Sequence, residues 1–318
     1  MDREQMSINE LTVGNIIGGG ILNSFKKTIY LNGAVGSDGN PTDVPNASEP
    51  VKTLTNAYNS IGTYNDAIVL QQSSSSVILG STFNWAKNNC ALIGTGFAQM
   101  GMRSRISMST TFTPFLTVSG YGNLFQNLYL THGTAATDLV GLNITGNYNT
   151  FQNVNFATPM TTLQSTAGYI GVDITATGTY FKDCVIGANT VTLTGAYPLI
   201  QINTPSNDFS YTIFENCTLL MCAGSTAPVF LNVANTNSPP GQTFVEFRNC
   251  RFVATSVNMA TKLADAFSFT GGDTCCVMVD ANCQFFGVTA ITSSTAYVLQ
   301  AAAPQTATGT ATLLAVNP

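Results

Sequence analysis

The sequence predicts an all-β chain wound into a single-stranded parallel β-helix of about eight coils. Two observations carry that expectation. First, the phrase Phe-x-Asn-(Leu/Val/Cys)-x-(aromatic or aliphatic) recurs in five clear copies and a degenerate sixth between Phe125 and Phe285. The steps between copies are 26, 30, 33, 33 and 33 residues, and self-similarity at such a period marks a solenoid. Second, stacking the copies about 4.8 Å apart turns each position into a column of consistent chemistry.

Within one copy the apolar positions fall at offsets 0, 3 and 5. Side chains on a straight strand alternate faces, so an odd step between inward residues requires a bend. Asn tolerates a left-handed bend while hydrogen-bonding locally. The bend ladder is therefore Asn127, Asn153, Asp183, Asn216, Asn249 and Asn282. One inward ladder reads Leu128, Val154, Cys184, Cys217, Cys250, Cys283, and a second reads Leu130, Phe156, Ile186, Leu219, Phe252, Phe285. An outward column before the bend, Gln126, Gln152, Lys182, Glu215, Arg248, Ala281, alternates charge as cross-strand pairing favours.

In chain order, residues 1–27 read as an N-terminal arm that docks on a neighbouring subunit or on the first coil. Its apolar stretch, Leu11 to Phe25, is too short and too glycine-rich to span a membrane. Residues 28–66 supply an opening strand (28–33), a turn (36–40) and a short helix over 50–58, with Ser48 as cap and Pro50 in its first turn. Residues 67–290 form the solenoid, and 291–318 an extended tail covering the last open edge. Coils of 33 residues exceed the minimum, so Gly187–Thr190, 234–240 and Ala254–Ser256 read as inserted loops suited to a subunit interface.

With these columns and this opening, the chain resembles the right-handed parallel β-helices of the pectin-lyase-like superfamily over about residues 28–290. The resemblance implies a right-handed coil with the helix covering its first turn. The superfamily includes sugar lyases, hydrolases, viral tailspikes and structural virion proteins, so it assigns no single activity.

Composition narrows the classes. Only 8% of residues are charged and the net charge is −5, which offers no basic stripe for nucleic acid. Lys26-Lys27 and Arg103-Ser104-Arg105 are too sparse to change that. The first residues, with Asp2, Arg3 and Glu4, lack the pattern of a secretory signal, so the expected place of synthesis is a host cytoplasm. Of eight cysteines, Cys184, Cys217, Cys250 and Cys283 are explained as a buried ladder. No Cys-x-x-Cys spacing occurs and His132 is the sole histidine, so neither a metal nor another cofactor is expected.

Sugar cleavage would need paired carboxylates or an acid cluster holding calcium. Asp173, Asp208 and Glu246 are the weak catalytic candidates, read on the face before the bend, but their offsets of −8, −6 and −1 from the repeat Phe do not stack. The Asp-Asp and Gly-His-Gly motifs of the superfamily's polygalacturonases are absent, as is any acid run like its pectate lyases' calcium site. His132 reads as a loop histidine. Trp85, Tyr121, Tyr129, Tyr148 and Tyr180 are candidate sugar platforms, of which the register turns only Tyr129 outward. The expectation is a non-catalytic virion component, capsid-decorating or tail-associated. Its expected partners are other virion proteins and copies of itself, three-fold assembly being favoured, with a glycan as a further candidate and no nucleic acid or membrane. The alternative is a tailspike depolymerase acting on surface polysaccharide.

Overall fold

A computed structural model describes residues 25–43, 46–96, 104–109, 112–132, 140–158, 168–204, 209–235, 242–256, 261–271, 275–292 and 298–300. The chain winds as a right-handed parallel β-helix whose three long sheets carry ten, eight and seven strands rather than a uniform eight. The first sheet runs from Lys27–Leu31 through strands such as Leu124–Gln126, Thr150–Gln152, Thr179–Lys182 and Gln242–Arg248 to Val298–Gln300. The second begins at Val77–Leu79 and ends at Gln284–Phe286; the third begins at Phe83–Trp85 and ends at Phe267–Gly271. A two-stranded sheet pairs Leu263–Asp265 with Val288–Ala290.

The repeat Phe residues stack inside as one column. Phe125, Phe151, Phe181, Phe214 and Phe247 are fully buried, with ring centroids 4.8–4.9 Å apart. Beside them the four ladder thiols are buried and free, and each donates to a carbonyl of the preceding coil: Cys184 to Phe151, Cys217 to Phe181, Cys250 to Phe214 and Cys283 to Phe247. The second inward column holds its register from Leu130 to Phe285, where Phe285 stacks on Phe252 at 4.4 Å.

The turn from the first sheet to the second passes through left-handed backbone at Asn127, Asn153, Asp183, Asn216 and Asn249, with φ between 51° and 56°. Side chains climb the column: Asn153 donates to Asn127, Asn216 to Asp183 and Asn249 to Asn216. Asn282 does not belong to it. Val279, not Asp280, pairs with Phe247, so the sixth copy carries an extra residue before its cysteine. Asp280 fills the gap with its side chain, accepting from the N–H of Asn249 and of Asn282. In the other rungs the bend N–H donates to a backbone carbonyl, as Asn216 does to Arg248. Ala281 accordingly drops out of the outward column.

Two further expectations change. The helix, α1, spans Leu54–Ser60 and is capped by Thr53, not Ser48. Val51 is engaged in a bridge to Leu31, and Asp38 gathers the N–H groups of Lys52 and Thr53, so the helix starts later. Tyr58 of α1 packs on Phe83 and Trp85, over the first coils. The 33-residue coils spend much of their added length on longer strands, such as Val185–Leu193 with a bulge between Ala188 and Thr192, and Phe209–Glu215. Gly187–Thr190 and Ala254–Thr255 are thus strand, not loop. Beyond residue 290, Val298–Gln300 adds a last strand to the first sheet. Residues 1–24, nearly all of the expected arm, lie outside the described residues, as do 236–240 and 301–318.

Candidate functional site

Asp173 lies in Ile170–Ile174 on the outer face of the third sheet, in register between Asn143 and Gln201. Its column reads Asn84, Thr117, Asn143, Asp173, Gln201, Asn232, Ser268: one carboxyl among uncharged polar side chains. Ser119 donates to Asn84, while Ser268 and Thr270 donate to Asn232. Burial pushes the Asp173 carboxyl above its ordinary value, against a hydrogen bond from Gln201 that favours the charged form. Its Oδ1 is buried with no hydrogen-bond partner among the described residues.

Glu246 stands elsewhere, on the outer face of the first sheet, inside a continuous network. Arg248 grips Glu246 with two bonds of 2.7 Å and reaches Glu215 at 3.8 Å; Lys182 meets Glu215 at 3.2 Å. Tyr211 donates to Glu246 and Tyr180 to Glu215. The Arg248 bond holds the Glu246 carboxyl below its ordinary value, and the Tyr180 bond does the same for Glu215. Both are therefore anions at neutral pH, which suits a clamp between coils better than a proton donor. Tyr211 stacks on Phe244 at 5.1 Å beside the exposed Phe209.

The three candidate acids are not brought together. Asp173 and Glu246 occupy different sheets, and Asp208 lies outside the described residues. A two-carboxylate mechanism needs its groups within about 5–10 Å across one cleft. Among the described residues, no group of three or more His, Cys, Asp or Glu converges to hold a metal. His132 follows Tyr129–Thr131 outside any strand, as read, but is buried there, its Nδ1 3.2 Å from the Thr158 hydroxyl, which in turn meets Tyr169. Trp85 is fully buried against Tyr58 and Phe125 and offers no platform. Tyr129 and Tyr180 are half-buried, whereas Tyr121 and Tyr148 are exposed.

A second bend column, between the third sheet and the first, went unread in the sequence. Asn65, Asn89, Gly122, Tyr148 and Gly178 take positive φ on successive coils, each three residues before the inward residue that stacks in the Phe column. The constant spacing was available; the residue types, which change from rung to rung, concealed it. Next to it, Asn123 and Asn149 form a buried amide ladder: Asn123 accepts from the N–H of Cys90, and Asn149 accepts from Asn123.

No family model matches the chain, and no curated protein matches it. Solved structures do. A pectate lyase, Pel9A, superposes with a TM-score of 0.52 at 12% identity, over 91% of this chain and 82% of its own. A pectin methylesterase in complex with a hexasaccharide gives 0.46 at 15% identity, over 82% and 81%. The pectin methylesterase of Aspergillus niger gives 0.46 at 14%, over 91% of each chain. At 12% identity the likeness to Pel9A shows the fold alone. The chain has the right-handed parallel β-helix fold that this pectate lyase also has.

Proposed function

We propose that this chain is a structural β-helix subunit of a virus particle, decorating the capsid or built into the tail, with no catalysis of its own. The observation that carries this reading is how its acids are used. Glu215 and Glu246 are clamped by Arg248, Asp183 and Asp280 hold the bend ladder, and Asp38 holds the start of α1. Each stabilises a turn or joins coils. A surface with few charges suits contact with other subunits, and closed homo-oligomers, three-fold here, are the economical assembly for such a rod. The chain would be made in the host cytoplasm and reside in the virion. Mass spectrometry of purified particles tests this: hundreds of copies fit capsid decoration, a handful fit the tail, and absence overturns the reading.

A second reading, a tailspike depolymerase acting on surface polysaccharide, is favoured by one observation. Asp173 is a half-buried carboxyl held above its ordinary value on an otherwise neutral polar face, the state a general acid needs. Loss of polysaccharide cleavage in Asp173→Asn would support it; no cleavage by the native protein would remove it.

A further inference from the structure

We propose that the corner between the third and first sheets binds a neutral polysaccharide, with Tyr148 as its platform and Tyr121 and Tyr64 extending the strip. Asn65, Asn89, Gly122 and Gly178 are types that accept the left-handed conformation, but Tyr148 takes it too, at φ 60°. For a bulky aromatic this is an outlier, and such strain collects where the outlying residue has work to do.

A Cβ on Gly178 would stand 2.3 Å from Cδ1 of Tyr148, so the ring rests directly on the Gly178 backbone. It is seated from beneath while the side chain stays 64% exposed. Tyr121 and Tyr64, 45% and 48% exposed, flank the rung of Asn88, which bridges to Tyr64 and accepts from the N–H of Tyr121. From Tyr64 to Tyr148 is three rungs, about 14 Å, the span of a short oligosaccharide.

The rungs of the strip and the one after Tyr148 present Asn88, Asn147 and Thr177, all neutral donors and acceptors. Lys87 is turned under the corner, donating to the carbonyls of Tyr58 and Ile61. Tyr rings with amides and hydroxyls match the apolar C–H faces and hydroxyl rims of uncharged sugars. A protein contact would be expected to have a more apolar core, and beside these rungs the exposed aliphatic surface among the described residues is that of Ala86. The strip is distinct from the Asp173 column and from the Glu246 network, and it requires no catalysis.

The test is affinity electrophoresis of the full chain in native gels containing dextran, mannan, xyloglucan or polygalacturonate. At least one neutral polymer should retard the native protein. Tyr148→Asn, which keeps a bend that Asn65 and Asn89 already make, should weaken that affinity ten-fold or more with no fall in the unfolding midpoint; Tyr121→Ser should weaken it less. The proposal is overturned if no neutral polymer retards the protein, if polygalacturonate alone does, or if Tyr148→Asn is retarded like the native chain. It is also overturned if the native chain ignores every glycan while Tyr148→Asn loses association with other particle proteins, which would make the corner a protein contact.

Discussion

Replacing Asn216 by Ala strikes the bend ladder at its centre. Asn216 holds φ 54°, donates to Asp183 at 3.1 Å and accepts from Asn249 at 2.8 Å. Forcing a Cβ-bearing residue without a local hydrogen bond into left-handed backbone costs about 1–2 kcal/mol. Losing two solvent-exposed side-chain bonds adds about 0.5 kcal/mol each, for a total of about 2–3 kcal/mol. Asn216→Gly relieves the backbone term and loses the bonds, so it should cost about 1 kcal/mol. Asn282→Ala occupies the same place in the repeat phrase, yet Asn282 is outside the left-handed column and exposed; it should cost under about 0.5 kcal/mol. The assay is the urea midpoint of each variant with the slope held in common, by far-ultraviolet circular dichroism. From least to most stable, the expected order is Asn216→Ala, Asn216→Gly, Asn282→Ala. Equal losses for Ala at the two positions, or Asn216→Gly as unstable as Asn216→Ala, would refute the reasoning.

Other outcomes follow from the same contacts. Native protein treated with a thiol reagent should label Cys276 first, since it alone among the described cysteines is not buried, with the ladder thiols reacting only on denaturation; fast labelling of Cys217 would contradict the packing. Burial pushes the Cys217 thiol up, and hydrogen bonding with the cysteine of the preceding rung raises Cys250 and Cys283. The folded chain therefore keeps protons that the unfolded chain releases above its ordinary value of 9.0, so stability should be intact below that pH and fall as pH rises past it. A stability flat to pH 11 would refute this. Arg248→Met should cost about 1 kcal/mol, less at high salt, because its partners are partly solvated. Asp173→Asn should raise the thermal midpoint at pH 7 and leave it unchanged at pH 3, since burial disfavours only the charged form; equal shifts at both pH values would assign the effect to packing instead.

The Phe, Cys and bend columns could be read from the sequence because each repeats one residue type at one place, so a single register explains them all. The second bend at offset −3 repeats a place without repeating a type, since Tyr148 stands between Gly122 and Gly178. That omission misplaced the acids. With one bend assumed, Asp173 at −8 and Glu246 at −1 share a face; the second bend turns the chain between them and puts Asp173 on the third sheet. The sixth copy misled for a different reason. Its Asn282 and Cys283 keep the spelling of the phrase, but one added residue after Val279 removes Asn282 from the column while Cys283 still reaches the Phe247 carbonyl. Trp85 stands among the candidate platforms in the sequence because only packing under Tyr58 of α1 shows it to be core.

Every statement about the faces of this molecule depends on one register running unbroken from the opening strand to Arg248. Spin labels placed on the outward column test it most directly, with Cys276→Ser to remove the accessible native thiol. Tyr30, Val69, Ile93, Gln126, Gln152, Lys182, Glu215 and Arg248 occupy successive rungs of that column. A Gln126→Cys/Arg248→Cys pair is four rungs apart and should read about 19 Å, and a Tyr30→Cys/Arg248→Cys pair, seven rungs apart, about 34 Å. Distances that rise by one strand spacing per rung are the predicted result; a Tyr30 pair no longer than the Gln126 pair, or a spread of distances for either, would contradict the stacked coil.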